Sequence, residues 1–276
     1  MQNDPIGLMD SGVGGLTVLK EVQRLLPTEN TVFLGDQARL PYGPRSVAEV
    51  TMFTKQIAQF LRQQAGIKAL VIACNTATAA ALTTMQQTLP IPVIGVIAPG
   101  AQAAVQATRN HRIGVIATAG TVKSDQYRRD ILAAAPNSQI FSVACPEMVT
   151  LAEQNDLTTT HAQSVVAENL ASLMDKKIDT LVMGCTHFPL LRSAIQHAVG
   201  SQVTLVDPGL ATAEQTAAIL KTHGLLNPAT TRGTAQFFTT GETAHFDTLA
   251  SQWLDQQPMP AKHVSIAQLT TPMEVN

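Results

Sequence analysis

Two cysteines stand at corresponding positions in the sequence, each at the end of a short apolar run. Cys74 closes the stretch "ALVIAC" and Cys185 closes "TLVMGC". Such runs are typical of buried parallel strands. A thiol placed where the following helix begins feels the helix dipole, which can lower its pKa and favour the reactive thiolate. The alternative is a structural role, because free cysteine is often a small buried apolar residue.

A pair of thiols points to a reaction at a single carbon atom. Reacting atoms approach to within about 3 to 3.5 Å, so two opposed thiols can hold one planar carbon between them. One thiolate then removes the α-proton from one face and the other thiol delivers a proton to the opposite face, which inverts a stereocentre without a cofactor. Acyl transfer by Cys185 and His187 is a weaker interpretation, because these residues stand side by side rather than in a triad.

Other small polar side chains follow the predicted strands, where ligands bind in open α/β sheets. These residues are Asp10, Ser11, Asp36, Asn75, Thr76, Thr118, Thr121, Thr186 and His187. Hydroxyl and amide groups among the free N–H groups of helix starts favour a small anion such as a carboxylate. Asp10, Asp36 and His187 are the catalytic candidates besides the thiols, with Asp10 beside Cys74 and His187 beside Cys185. A helix cap for Asp10 and a buried structural histidine are equally plausible roles.

Short apolar runs alternate with stretches of helical period along most of the chain. The runs are "IGLMD", "TVFLG", "KALVIAC", "PVIGVI", "RIGVIAT", "QIFSVAC", "DTLVMGC" and "VTLVD". This alternation predicts βαβ units and parallel sheets flanked by helices. After Gly224 the pattern is less regular, and we expect strands at "TAQFFTTG" and "HVSIAQL" on either side of a helix at "TAHFDTLASQWL".

Two parts of the chain also resemble each other in sequence. "IGLMDS" is similar to "IGVIAT", and "ALVIAC" is similar to "TLVMGC", in the same order and at nearly the same spacing. Buried parallel strands look alike on Val, Ile and Leu alone, so the match of Cys74 with Cys185 is the informative part. It predicts two related half-units that each contribute one thiol.

Composition and charge exclude several classes of protein. Of the 276 residues 45% are hydrophobic and 14% are charged, which is typical of a compact enzyme. The formal net charge is −2, so the chain lacks the excess of positive charge that binding to a nucleic-acid backbone needs. The first ten residues lack the features of a signal peptide, and no apolar run approaches the about 18 residues of a membrane span. Three widely spaced cysteines do not suggest disulfides or a zinc site. We therefore expect a cytoplasmic protein that binds no metal or membrane and has no nucleic acid as its primary ligand.

The glycine-rich stretch "DSGVGGL" after the first strand offers a competing hypothesis. It resembles a dinucleotide-binding turn, and Asp36 ends the second strand where a ribose-binding acid would stand. Thr17, however, stands where that fingerprint needs Gly or Ala. A turn that lets the backbone approach another group is sufficient reason for the glycines, so dinucleotide or small-anion binding without thiol chemistry is the second hypothesis.

Four motifs resemble those of one known family. "DSGVGGLTVLKE", "GDQARLPYG", "IACNTATA" and "GCTHFPLL" are similar to the glutamate racemases of the aspartate/glutamate racemase superfamily, over a range from Ile6 to about Thr222. The resemblance implies cofactor-independent interconversion of L- and D-glutamate, which supplies D-glutamate for peptidoglycan. Cys74 resembles the base that acts on D-glutamate and Cys185 the base that acts on L-glutamate. A racemase of aspartate or a related amino acid is the alternative within the superfamily.

The resemblance also implies a substrate pocket and an acidic assistant. The implied pocket residues are Asp10, Ser11, Tyr42, Gly43, Asn75, Thr76, Thr118, Thr121, Thr186 and His187. The family reads close to "CPLFVPLVE" where this chain has "CPEMVTLAE" from Cys145 to Glu153. Glu153 fills the acidic position by count, and Glu147 is an additional carboxylate nearby. We expect Cys145 to be structural.

The family's architecture implies two similar α/β domains, each a mainly parallel sheet flanked by helices. Pseudo-two-fold symmetry would relate the domains, with the active site in the cleft between them. The expected first domain is residues 1–97 plus 208–276, and the second is residues 98–207. The resemblance further implies glutamate as a small-molecule substrate and a homodimer.

Overall fold

The computed structural model describes residues 1–254 and 260–270, which form an α/β protein with ten strands. The strands are β1 (Ile6–Asp10), β2 (Thr31–Gly35), β3 (Ala69–Ile72), β4 (Val93–Gly95), β5 (Arg112–Ala117), β6 (Gln139–Ala144), β7 (Thr180–Gly184), β8 (Thr204–Val206), β9 (Ala235–Thr239) and β10 (Lys262–His263). All eight strands predicted before Gly224 are confirmed, with ends that differ by at most a few residues.

Twelve α-helices lie between the strands or follow them. They are α1 (Leu16–Leu25), α2 (Val47–Ala65), α3 (Asn75–Thr88), α4 (Ile97–Ala107), α5 (Ala119–Ser124), α6 (Gln126–Ala134), α7 (Pro146–Glu153), α8 (Thr160–Met174), α9 (Arg192–Val199), α10 (Pro208–Thr222), α11 (Thr243–Trp253) and α12 (Ile266–Thr270). Short 3₁₀ helices span Gln37–Arg39 and Phe188–Leu191. No helix in these two described ranges is long and apolar enough to cross a bilayer.

The strands form two separate sheets in which every neighbouring pair is parallel. The six-stranded sheet has the order β10-β9-β2-β1-β3-β4, and the four-stranded sheet has the order β6-β5-β7-β8. The first sheet takes strands from both parts of the chain that flank the second. The predicted fold class is confirmed. We propose that the two sheets mark two domains, residues 1–97 plus 208–276 and residues 98–207, as expected from the sequence. Residues 255–259 and 271–276 of the first domain lie outside the described ranges.

The two sheets repeat one arrangement of four strands. β1 lies between β2 and β3 with β4 beyond, and β5 lies between β6 and β7 with β8 beyond. Ile6 is in register with Ala69 in the first sheet, and Ile113 is in register with Thr180 in the second. We call the six-stranded sheet with its helices the first unit and the four-stranded sheet with its helices the second unit. Cys74 and Cys185 stand the same number of residues beyond Ala69 and Thr180, so the two thiols occupy equivalent places in the two units.

Apolar side chains cover both faces of each sheet. In the first sheet, one cluster around Leu8 and Phe33 packs under α1, α10 and α11, and another around Leu70 and Ile72 packs under α2 and α3. The second sheet is likewise packed on one face against α7, α8 and α9 and on the other against α4 and α6. Burial on two faces explains why the strands read as continuous apolar runs rather than alternating ones.

The prediction of a strand over "HVSIAQL" is wrong for most of that stretch. Only Lys262–His263 pairs with β9, and the chain then forms α12. The cause is a capping box, in which the Gln268 side chain accepts from the Ser265 N–H and the Ser265 hydroxyl accepts from the Gln268 N–H. This reciprocal pairing stabilises a helix start, and it outweighs the alternating apolar pattern.

Candidate active site

A cavity of about 260 Å³ lies where the carboxyl ends of the strands of both sheets meet. Cys74 from the first unit and Cys185 from the second both line it. The other lining residues are Ser11, Leu40, Pro41, Tyr42, Gly43, Pro44, Asn75, Thr76, Thr118, Ala119, Pro146, Val149, Thr150, Thr186 and His187. No Lys or Arg of the described ranges lines the cavity, so its donors are hydroxyl, amide, imidazole and backbone N–H groups.

Cys74 lies at the N-terminus of α3 and is 5% exposed. Its thiol donates to Ser11 Oγ at 3.6 Å. Burial and the nearby carboxylate of Asp10 raise the pKa of Cys74 to about 12, although the backbone N–H of Ala77 and the hydroxyl of Ser11 oppose the shift. The expected lowering of this pKa at a helix start is therefore wrong, because desolvation exceeds the helix contribution. Cys74 is a protonated thiol at neutral pH.

Cys185 lies beside an imidazole that is itself held by an acid. Its sulfur is 3.7 Å from His187 Nδ1, and His187 Nε2 donates to Glu153 Oε1 at 2.5 Å. Burial alone lowers the pKa of His187, but the hydrogen bonds and charges of Cys185 and Glu153 outweigh burial and raise it well above its usual value. A protonated His187 places a positive charge beside the sulfur of Cys185. Glu147 is exposed, so Glu153 is the acid that contacts the histidine.

Asp10 is fully buried beneath the first glycine-rich turn and does not line the cavity. Its carboxylate accepts from the Gly12 N–H at 3.0 Å and from Thr186 Oγ1 at 3.4 Å. Burial raises the pKa of Asp10, and the charge of His187 opposes that shift. Asp10 thus acts on Cys74 through its charge, and it joins the first unit to the segment that carries Cys185.

Three threonine hydroxyls connect the two units at one side of the cavity. Thr76 Oγ1 lies 2.9 Å from Thr118 Oγ1 and 3.4 Å from Thr121 Oγ1. Thr118 also caps α5 by accepting from the Thr121 N–H. Thr76 and Thr118 line the cavity, whereas Thr121 stands behind them. These hydroxyls supply neutral donors for an anionic group.

Asp36 does not line the cavity but holds a residue that does. Its carboxylate accepts from the Tyr42 hydroxyl, from Arg39 Nε at 2.6 Å and from Thr240 Oγ1 at 2.9 Å. Tyr42 is 1% exposed and faces the cavity with Gly43. The structure therefore places Asp36 behind Tyr42, where Arg39, Tyr42 and Thr240 bind its carboxylate.

The glycine-rich turn is occupied by protein rather than open to a nucleotide. A Cβ atom on Gly14 would lie 2.4 Å from Thr186 Oγ1 and 2.6 Å from His187. The side chain of Thr17 donates to the backbone oxygens of Gly14 and Thr186. Because Thr186 and His187 cover the backbone of this turn, a pyrophosphate has no room there, which argues against the dinucleotide hypothesis.

Several residues at or behind the cavity were not among the predicted site residues. Tyr127 donates its hydroxyl to Asn75 Oδ1 at 2.8 Å and lies in α6, far from any recognised motif. The other missed lining residues are Leu40, Pro41, Pro44, Ala119, Pro146, Val149 and Thr150. All but Ala119 lie within or directly after the stretches "LPYG" and "CPEMVT", and Ala119 directly follows Thr118, so these neighbours could have indicated them. Cys145 is buried in the core of the second unit, with its thiol 3.8 Å from the Val143 carbonyl oxygen.

No cluster of metal-binding side chains occurs in the described part of the chain. The three cysteines are free. The fold and the site together define a class: an α/β protein of two repeated units with one thiol from each unit facing a shared cavity.

The model of the Asp/Glu/Hydantoin racemase family matches residues 6–216, and the chain belongs to this family. It is a racemase, which is an isomerase. A protein of Levilactobacillus brevis (strain ATCC 367) named glutamate racemase is 99% identical over 276 residues, covering 100% of both chains.

Solved structures of named racemases share the fold. The glutamate racemase isoform RacE1 from Bacillus anthracis is 42% identical with a TM-score of 0.93, over 96% of this chain and 99% of that chain. The glutamate racemase from Francisella tularensis in complex with D-glutamate is 34% identical with a TM-score of 0.88, over 96% of this chain and 98% of that chain.

Proposed function

We propose that this racemase interconverts L- and D-glutamate by a two-base reaction at Cys74 and Cys185, without a cofactor. The observation that carries the proposal is that the two thiols, from equivalent places in the two units, line one cavity. The substrate is inferred from the names of the similar proteins. Two donors on opposite walls are what inversion at one carbon requires.

The two thiols differ in their surroundings, and this difference gives each a role. Cys74 is protonated, because burial and Asp10 raise its pKa to about 12. Cys185 instead has the positive charge of protonated His187 beside its sulfur, which suits it to act as the base. In one direction the Cys185 thiolate takes the α-proton, and Cys74 gives its own proton to the opposite face of the planar carbanion. Cys74 is left as the thiolate, and the reverse reaction exchanges the roles.

By the family resemblance, Cys185 acts on L-glutamate and Cys74 on D-glutamate. After a turnover from L- to D-glutamate, Cys185 holds the α-proton and Cys74 lacks one, so Cys185 must release a proton to solvent and Cys74 must take one up before the next turnover in the same direction. The α-ammonium group of a bound substrate would favour a thiolate at either cysteine by its charge.

Neutral donors hold the two carboxylates of the substrate in this proposal. Asn75 and Thr76 begin α3 beside Cys74, and Thr186 stands beside Cys185. Backbone N–H groups and hydroxyls at helix starts bind carboxylates without arginine. A shorter substrate such as aspartate would reach only one set of donors, and a difference of one methylene is worth about 10- to 200-fold in specificity.

The biological setting is part of the same proposal. We infer that the protein supplies D-glutamate for peptidoglycan in the cytoplasm and that it forms a homodimer, on the basis of its resemblance to glutamate racemases. These inferences concern the role of the product and not the chemistry at the thiols.

The decisive test compares substrates on protein that has been dialysed against a chelator and treated to remove pyridoxal phosphate. Circular dichroism follows the loss of optical activity of L-glutamate, D-glutamate and L-aspartate. We expect turnover of both glutamate enantiomers at rates at least about tenfold above that of aspartate. A preference for aspartate, or an absolute requirement for pyridoxal phosphate or a metal, would contradict the proposal.

A further inference from the structure

Tyr127 is a buried residue that touches the active-site walls of both units without lining the cavity. It lies in α6 of the second unit and is 3% exposed. Its hydroxyl donates to Asn75 Oδ1 of the first unit at 2.8 Å. Asn75 directly follows Cys74 and lines the cavity. The tyrosine therefore reaches across from one unit to the residue beside the thiol of the other.

The ring of Tyr127 also borders the strand end that carries the second thiol. A Cβ atom on Gly184 would lie 3.0 Å from Tyr127 Cε2, and Gly184 directly precedes Cys185. A Cβ atom on Gly100 would lie 3.2 Å from the tyrosine oxygen. Two glycines therefore pack closely against the ring and the hydroxyl of Tyr127, and they restrict the movement of the side chain.

The hydrogen bond determines which way the Asn75 amide points. Burial raises the pKa of Tyr127 well above its usual value, and the charge of Asp207 adds to the shift. The phenol therefore stays protonated and is a hydrogen-bond donor. The carbonyl oxygen of the Asn75 amide accepts this hydrogen bond, which keeps that oxygen on the tyrosine side. In the described part of the chain the Asn75 NH₂ group has no acceptor, so it remains available to a carboxylate in the cavity.

We propose that Tyr127 is a positioning residue for racemization, which orients the Asn75 amide so that its NH₂ group binds a carboxylate of the substrate. The role in racemization rests on the proposed function, whereas the hydrogen bond between Tyr127 and Asn75 does not depend on it. Without the hydroxyl the amide can rotate, and its carbonyl oxygen would then face the carboxylate in part of the molecules.

The test uses Tyr127→Phe, which removes the hydroxyl and keeps the ring. Because the net contribution of one such hydrogen bond is modest, we expect KM for D-glutamate to rise about three- to tenfold while kcat stays within about twofold. In an Asn75→Ala background the same change should have no further effect on KM. Thr54→Val is the matched control, since Thr54 is a fully buried hydroxyl bonded to its own helix, and it should leave KM unchanged.

A second measurement needs no turnover. The side-chain amide signals of Asn75 in ¹⁵N–¹H spectra, assigned by their loss in Asn75→Ala, should shift and exchange faster with water in Tyr127→Phe but not in Thr54→Val. Unchanged KM, unmoved amide signals, or an equal effect of Tyr127→Phe in the Asn75→Ala background would overturn the inference. Failure of the wild-type protein to racemise glutamate would contradict the proposed function instead, and the amide signals would still test the contact.

Discussion

His187 donates a hydrogen bond to Glu153, and this bond, together with the contact between His187 and Cys185, raises the pKa of the histidine well above its usual value. Nε2 donates to Glu153 Oε1 at 2.5 Å while Nδ1 faces the sulfur of Cys185 at 3.7 Å. The ring also packs edge to face against Trp253, with centroids 6.2 Å apart. Nε2 of His187 is therefore bonded to the carboxylate of Glu153, and Nδ1 contacts the thiol of Cys185.

Replacing Glu153 with Gln should move the high-pH limit of activity to lower pH. The Glu153 carboxylate helps to raise the pKa of His187, so the histidine stays protonated to higher pH. The protonated ring supplies the positive charge beside the sulfur of Cys185. Without the carboxylate the proton leaves at lower pH, and we expect kcat to fall about tenfold near pH 8. Glu147→Gln, an exposed acid in the same helix, is the control. Overlapping pH profiles for both variants and the wild type would contradict this assignment.

Each of the two cavity thiols should be indispensable. Cys74→Ala and Cys185→Ala remove one of the two proton donors, so we expect racemization to fall by about 10³-fold or more in either variant with an unchanged circular dichroism spectrum. Cys145→Ala tests a buried cysteine that does not line the cavity and should retain turnover within a few-fold. Substantial racemization by either cavity variant would show that the reaction does not need both thiols.

Gly14 should not tolerate a side chain. In Gly14→Ala the new Cβ would meet Thr186 Oγ1 at 2.4 Å, so we expect a loss of about 1 to 3 kcal/mol in the free energy of unfolding together with a large fall in kcat. Gly66→Ala is the control, because Gly66 has a φ of 61° but no atom within 4 Å of its Cβ position. That variant should lose stability through backbone strain alone and keep its kcat. Normal activity in Gly14→Ala would show that the turn is not closely packed on the site.

The buried ion pair of Lys68 and Glu29 should matter for stability alone. Both side chains are 1% exposed, and the pair ties the start of β3 to Gln2, whose carbonyl oxygen accepts from Lys68 Nζ at 2.6 Å. Glu29→Gln leaves the lysine charge buried without its partner, which costs about 3 to 5 kcal/mol. Urea unfolding should show this loss, while kcat per folded molecule remains unchanged. A Glu29→Gln variant as stable as the wild type would contradict the expected cost.

The sequence predicted the sheets and the thiol pair because both depend on local patterns. Runs such as "IGLMD" match β1 residue for residue, since strands buried on two faces need continuous apolar residues. The similarity of "ALVIAC" to "TLVMGC" placed Cys74 and Cys185 in equivalent positions, and the register of the two sheets shows that they occupy them.

The sequence could not predict features that depend on contacts between distant segments. Nothing near Tyr127 indicates that its hydroxyl reaches Asn75 in the other unit. Asp36 follows a strand like the other candidates, yet Arg39 and Tyr42 bind its carboxylate and hold it away from the cavity. The pKa of Cys74 depends on how completely the two units bury it, and no sequence pattern records that burial.

Isotope exchange in heavy water tests the two-base reaction most directly. Cofactor-free protein is incubated with L-glutamate in D₂O, and early in the reaction the D-glutamate formed and the L-glutamate recovered are separated and examined by ¹H NMR at Cα. If Cys185 removes the proton and Cys74 delivers another, the D-glutamate should carry deuterium while the recovered L-glutamate keeps its proton. Equal deuteration of the recovered L-glutamate, or D-glutamate that retains the original proton, would contradict a reaction by two opposed thiols.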